Sequence, residues 1–171
     1  MALITLLTDF GTQDTYVGQV KGAILSVAPS ASLVDLTHAV PPQDVPAGAF
    51  FLWCAVEAFA AGSIHLAVVD PGVGSNRRGI AVRAARGDYF VGPDNGLLIP
   101  AVDHLGGRTE AVELTNREFW RPQPTSTFHG RDVFGPIAGH LANGIPLTQL
   151  GRFITNPIHL SLPVPQAWRA R

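Results

Sequence analysis

Three acids stand where strand-like runs end. Asp9 follows the apolar run 4–7 and Thr8, Asp70 follows 64–69, and Asp94 follows 89–92 and Pro93. A carboxylate there can accept hydroxyl groups, orient a water or take a proton. Any one of them would equally suit a helix cap or an Asx turn, but three strand ends sharing one placement points to a shared site. The segment Asp70-Pro71-Gly72-Val73-Gly74-Ser75-Asn76-Arg77-Arg78 is the densest in chemistry. Its glycines allow close backbone approach to a ligand, or simply a tight loop. It is no dinucleotide fingerprint, because Arg77 stands where the third glycine would fall. A second dense segment runs from Thr127 to Phe134, with His129 and Asp132 three residues apart and therefore on one face if the segment is helical. That pair is compatible with a metal ion, although one histidine and scattered acids make a weak ligand set. No nucleophile elbow, Walker loop, His-Glu-x-x-His or paired Cys-x-x-Cys is present.

The elements that must position these residues alternate between strand and helix patterns, the signature of an α/β sheet protein. Residues 4–7 read as a buried strand, and Val17, Val20, Ile24, Leu25 and Val27 recur at helical spacing behind a cap at Asp14 or Thr15. Residues 32–36 read as the second strand. Asp44 and Pro46 open a second helix reaching about residue 60. Residues 64–69 form a third strand, 79–83 and 88–92 pair across the turn 85–87, and 109–114 form another strand. A short helix falls within 95–105, and 127–143 is helical with an irregular first half, where Gly130, Gly135 and Pro136 lie. Phe50, Phe51, Trp53 and Cys54 read as core on the second helix, and His38, His65, His104, His140 and His159 as structural.

The chain has 171 residues, enough for one domain with a sizeable core. Charged residues are only 15%, and Gly with Pro make about 19%, short of the disordered range. A net charge of −1 argues against a nucleic-acid footprint, and no apolar run is long enough to span a bilayer. The single cysteine fits a reducing compartment, so a cytoplasmic protein is expected. Residues 161–171 are rich in proline and read as a linker or truncated tail behind a domain at 1–160.

Taken in order, Thr8-Asp9-Phe10-Gly11, Asp14 with Val17-Gly18, Asp70-Pro71-Gly72-Val73-Gly74, Pro93-Asp94-Asn95-Gly96-Leu97-Leu98 and Thr127-Phe128-His129-Gly130-Arg131-Asp132 resemble the S-adenosyl-L-methionine hydroxide adenosyltransferases, relatives of the fluorinating and chlorinating enzymes. The resemblance spans 1–160. It implies a Rossmann-like layered α/β/α domain with a mostly parallel sheet, followed in the family by a β-rich C-terminal domain absent from this chain. It also implies a homotrimer in which the adenosyl pocket lies between that second domain and the first domain of a neighbouring subunit.

The implied reaction is attack of water or hydroxide on ribose C5′ of S-adenosyl-L-methionine, giving adenosine and L-methionine without a metal or other cofactor. The family's catalytic residues fall on Asp70, Arg77 and His129, a triad that favours hydroxide over halide. The ribose-binding acid falls on Asp9, and Asp94, Asn95, Thr127 and Phe128 form the remaining pocket wall. A sulfonium needs no acid to leave, so the task is to place one water in line and remove its proton. A carboxylate held by a guanidinium orients better than it abstracts, whereas an imidazole titrates near neutrality. His129 is therefore expected to take the proton while Asp70 and Arg77 place the water. Two other readings remain open: a metal-dependent hydrolase using Asp9, Asp70, Asp94 and His129, and a non-catalytic nucleoside-binding or assembly module.

Overall fold

The computed structural model describes residues 2–162; most of the stretch read as a linker lies outside the described residues. The first apolar run forms β1 (Leu3–Thr8), whose side chains are almost all buried because helices cover both faces of the sheet. The chain then turns into α1 (Tyr16–Val27), where Asp14, not Thr15, supplies the capping oxygen, accepting from Tyr16 N at 2.9 Å. β2 (Ser32–Thr37) leads to α2 (Val45–Ala55). As expected, Asp44 caps that helix through Ala47 N at 2.9 Å and Pro46 lies in its first turn. β3 (Ile64–Val68), β4 (Gly79–Ala84), β5 (Tyr89–Pro93), α3 (Ile99–His104) and β6 (Arg108–Glu113) follow. A π-helical turn, Gly130–Phe134, then feeds α4 (Gly135–Ala142), with α5 (Leu147–Leu150) and β7 (Arg152–Phe153) after it.

The seven strands lie in the order β2-β1-β3-β5-β4-β6-β7. The pairings β2·β1, β1·β3 and β3·β5 are parallel, while β5·β4, β4·β6 and β6·β7 are antiparallel. Five strands thus run one way, as expected for a mostly parallel sheet, with the hairpin strand β4 and the edge strand β7 reversed. Alternation along the strands divides the core into two layers. Ile4, Leu6, Leu66, Val68 and Val91 pack with α1 and α4, and Leu7, Ala67, Val82 and Phe90 pack with α2 and α3. Each fully buried Leu or Phe among them contributes about 1.5–3 kcal/mol.

One expectation for this core is corrected. Phe50 and Phe51 are 47% and 40% exposed, Cys54 is exposed and Trp53 is half-buried. Every residue of α2 is apolar, so its periodicity does not mark an inner face, and the helix seats Gly48, Ala49 and Leu52 against the sheet. Two of the histidines expected to be structural are buried and bonded to threonines of β1. His38 meets Thr8 Oγ1 at 2.8 Å, and His65 meets Thr5 Oγ1 at 2.8 Å.

After β1 the chain passes to β2 on one side, and after β2 it returns to β3 on the other. The carboxyl ends of β1 and β3 therefore flank the point where the strand order reverses, the place where open α/β sheets bind ligands. Thr8 stands opposite Val68 in the ladder, so Asp9 and Asp70 emerge side by side there.

Candidate active site

Asp9, Asp70 and His129 line one cleft of about 170 Å³, with Phe10, Thr127 and Phe128 around them. Asp9 is fixed by the Gln43 backbone N–H, which donates to its Oδ2 at 2.8 Å, leaving further lone pairs toward the cleft. Gln43 holds a left-handed φ of 65° in the loop after Pro41 and Pro42, and no signal in the sequence marks it.

Asp70 opens a loop that returns to β4 through Arg77. The guanidinium grips the carboxylate: Nε donates to Oδ1 at 2.9 Å and to Oδ2 at 3.0 Å, and Nη2 also donates to Oδ2. Its Cζ lies 5.2 Å from the centre of the Phe134 ring. The loop keeps its shape through Gly74, which has φ 77° and whose Cβ, if present, would lie 2.6 Å from the Ser126 carbonyl oxygen. Both side chains of the pair are largely buried, at 12% and 6% exposed for Arg77 and Asp70.

Arg77 Nη2 also lies 2.9 Å from His129 Nδ1. A guanidinium only donates, so Nδ1 accepts and the ring is neutral with its proton on Nε2. Burial, and then the positive charge of Arg77, push His129 below the ordinary imidazole value of 6.5, against the pull of Asp70 and Asp132. The three residues expected as a triad are thus joined in one chain of hydrogen bonds. His129 stands just before the π-helical turn, whose start packs closely on Phe10: a Cβ on Gly130 would lie 3.2 Å from that ring.

Other expected residues fall differently. Asp132 does not join His129; it turns to Thr125 N and Oγ1 at 2.9 and 2.8 Å and to Arg131 Nε at 2.7 Å. Burial opposes its ionisation, but these bonds prevail and hold it at about 2. Asp94 and Asn95, expected in the pocket wall, are not among the residues lining the cleft with Asp9. Arg78 and Ile158 N occupy the Asp94 carboxylate, and Asn95 reaches the Val69 carbonyl. With Asp94 elsewhere and Asp70 in the fork of Arg77, the metal set Asp9, Asp70, Asp94 and His129 is not assembled. Among the described residues no group of three or more His, Cys, Asp or Glu side chains is placed to hold a metal ion.

A wider groove of about 390 Å³ continues from Phe10, Thr127 and Phe128 to Tyr16, Gln19, Thr125 and Arg131. Phe10, Tyr16 and Phe128 meet edge to face, with centroids 5.1–6.3 Å apart, and Arg131 lies 4.9 Å over Phe128. Sequence reasoning missed Tyr16, Gln19 and Arg131. The helical spacing of Tyr16 and Gln19 was a signal, but it did not reveal that they face the later loop.

Comparisons with known proteins bear on the family. The model of the SAM hydroxide adenosyltransferase N-terminal domain matches residues 4–151. The chain belongs to this family. It is 47% identical to the (R)-S-adenosyl-L-methionine hydrolase of Salinispora tropica, over 95% of this chain and 61% of the relative. It is 38% identical to the protein of that name from Methanocaldococcus jannaschii, over 81% and 52%. A fluorinase from Actinoplanes sp. is 30% identical, over 90% and 59%. Among solved structures, an uncharacterized conserved protein from Thermotoga maritima superposes with a TM-score of 0.91 at 38% identity, covering 96% of this chain and 63% of that one. The chain thus spans about three-fifths of the length of the S. tropica relative and matches the N-terminal part of the SAM hydroxide adenosyltransferase architecture. No helix among the described residues is long and apolar enough to cross a membrane.

Proposed function

We propose that the protein hydrolyses S-adenosyl-L-methionine to adenosine and L-methionine. The observation that carries this reading is the continuous Asp70–Arg77–His129 chain beside Asp9 at the carboxyl end of the sheet, in a chain similar to named (R)-S-adenosyl-L-methionine hydrolases. Asp9 accepts the ribose hydroxyls, which places C5′ before the triad, and Thr127 and Phe128 form the wall beside the sugar.

A water oxygen forms a bond to C5′ as the C5′–S bond breaks, and the bonding pair leaves on sulfur as a neutral thioether. One proton of the water is released. His129 is the less suitable acceptor in this arrangement, because its one lone pair is spent on Arg77 and a second positive charge would face the guanidinium. Its Nε2–H suits it to hold a water oxygen. A carboxylate held by a guanidinium is in general a weak base, but a sulfonium leaves unaided and asks for no strong one. The Asp70 carboxylate keeps lone pairs beyond those that Arg77 uses and takes the proton, with Arg77 fixing its direction. Proton removal, expected of His129 from the sequence, is thus proposed for Asp70 instead.

S-Adenosyl-L-methionine is substrate, and the proposal calls on no cofactor. A homotrimer completing the pocket from a neighbouring subunit, and a cytoplasmic location, belong to the same proposal and rest on the family resemblance and the single cysteine. Product analysis of the full protein tests the reading: adenosine and methionine in equal amounts support it, and methylthioadenosine or unchanged substrate contradicts it.

A further inference from the structure

Asp94 and Asn95, adjacent in the turn after β5, reach in different directions. Asp94 is 2% exposed and accepts from Arg78 Nε at 2.7 Å, from Arg78 Nη2 and from Ile158 N at 2.7 Å. Asn95 donates from Nδ2 to the Val69 carbonyl at 2.9 Å, and its Oδ1 accepts from Leu97 N at 3.2 Å. Arg78 is the residue after Arg77, and Val69 is the residue before Asp70. We propose that Asp94 and Asn95 are positioning residues: a two-pronged bracket that sets the spacing of Asp70 and Arg77 by holding the neighbour of each.

The sheet order explains why a bracket belongs there. Asp70 follows β3 and Arg77 precedes β4, and β5 lies between those two strands. The Asp70–Arg77 pair therefore arches over the end of β5, where Asp94 and Asn95 stand. On the β3 side, the ladder with β5 reaches only to Leu66 and Val91, so the Asn95 amide ties down the last residue of the run. On the β4 side, Asp94 N donates to the Arg78 carbonyl at 2.9 Å, and Arg78 also reaches Asn156 Oδ1 at 3.0 Å and the Asn156 carbonyl at 2.8 Å. The intervening loop is mostly exposed, and its own hydrogen bonds, from Val73 N to the Asp70 carbonyl and from Ser75 N to the Gly72 carbonyl, are local, so the bracket is what ties its two ends to β5. Gly96 lets the bracket turn: its φ is 94°, and a Cβ there would lie 2.8 Å from Leu160 Cβ.

The inference rests on the hydrolase reading, and its test separates the two. In the full protein, Asp94→Asn and Asn95→Ala are expected to lower kcat for S-adenosyl-L-methionine by about ten- to a hundred-fold, the scale of a small misplacement at a reacting centre. KM is expected to stay within about two-fold, because both side chains are spent on partners within the fold, Arg78 and Ile158 N for Asp94 and the Val69 carbonyl for Asn95. In an Arg77→Ala background the same substitutions should change the residual rate by less than about two-fold, since the spacing they set, that of Asp70 against Arg77, is then already gone. Both should also shift or broaden the Arg77 Nε–H resonance. Asn95→Ala leaves the buried ion pair intact and keeps the test open if Asp94→Asn does not fold. A rise in KM at constant kcat, an unmoved Arg77 resonance, or full additivity with Arg77→Ala would overturn the bracket. If the wild-type protein turns over no S-adenosyl-L-methionine, the hydrolase reading fails, and the Arg77 resonance still decides the bracket.

Discussion

β3 carries Asp70 beyond one end and His65 near the other, and His65 gives the fold a calculable acid sensitivity. The ring is fully buried, sits 4.8 Å from the Phe90 ring, and receives the Thr5 hydroxyl at Nδ1 at 2.8 Å. Its Nε2 lies 3.5 Å from Asp88 Oδ1, longer than a good hydrogen bond, and Arg86 already grips that carboxylate at 2.8 and 2.9 Å. Burial lowers His65 from 6.5 to about 4; Asp88 opposes the fall and Arg86 adds to it. The folded state therefore resists a proton that the unfolded chain accepts below pH 6.5, and stability falls as pH drops from that value toward 4. At 1.36 kcal/mol per pH unit the whole effect is about 3 kcal/mol, of which about 2 kcal/mol is lost between pH 7 and pH 5. His129 and His140 are also lowered by burial and tilt the curve the same way, so the comparison must be with His65→Asn, which removes one titration and leaves theirs. Urea unfolding at both pH values is the assay. The variant is less stable at pH 7 because it leaves a cavity, and its deficit should shrink by about 2 kcal/mol at pH 5. A deficit that is equal at the two pH values would refute the assignment of a buried neutral imidazole.

Three further outcomes follow from the site. In an Arg77→Met protein the His129 pKa should rise, because a positive neighbour is removed; a proton resonance titration of the ring reads this, and an unchanged or lower value contradicts the Nη2–Nδ1 contact. Asp132→Asn should cost about 2 kcal/mol at pH 7 and flatten the acid limb between pH 4 and pH 2, since a carboxylate held at about 2 stabilises the fold above its unfolded value and loses that effect as pH falls through 2. Gly74→Ala should destabilise by about 1–3 kcal/mol and lower turnover, because its Cβ meets the Ser126 carbonyl at a strained φ; differential scanning calorimetry with an activity assay checks both.

The α/β layering and the strand-end acids were legible in the sequence, because buried parallel strands appear as short apolar runs that stop abruptly. Asp9 and Asp70 were found from that signal alone. Arg77 and His129 were not: 52 residues separate them, and only the resemblance joined them before the Nη2–Nδ1 contact did. Asp94 shared the strand-end placement yet turned out to bind Arg78, since position at a strand end does not fix the direction of a side chain. The exposed Phe50, Phe51 and Cys54 were read as core because a helix without polar residues carries no marker of its outer face. The expected irregularity around Gly130, Gly135 and Pro136 was real and took the form of a π-helical turn that no propensity specifies.

Turnover of S-adenosyl-L-methionine by the full protein in oxygen-18 water, with mass spectrometry of both products, tests attack at C5′ most directly. The label is predicted in the 5′-hydroxyl of adenosine, with methionine unlabelled, and Asp70→Asn and Arg77→Met proteins should form neither product at the wild-type rate. Unlabelled adenosine, label in the amino-acid product, or wild-type turnover by either variant would contradict the mechanism.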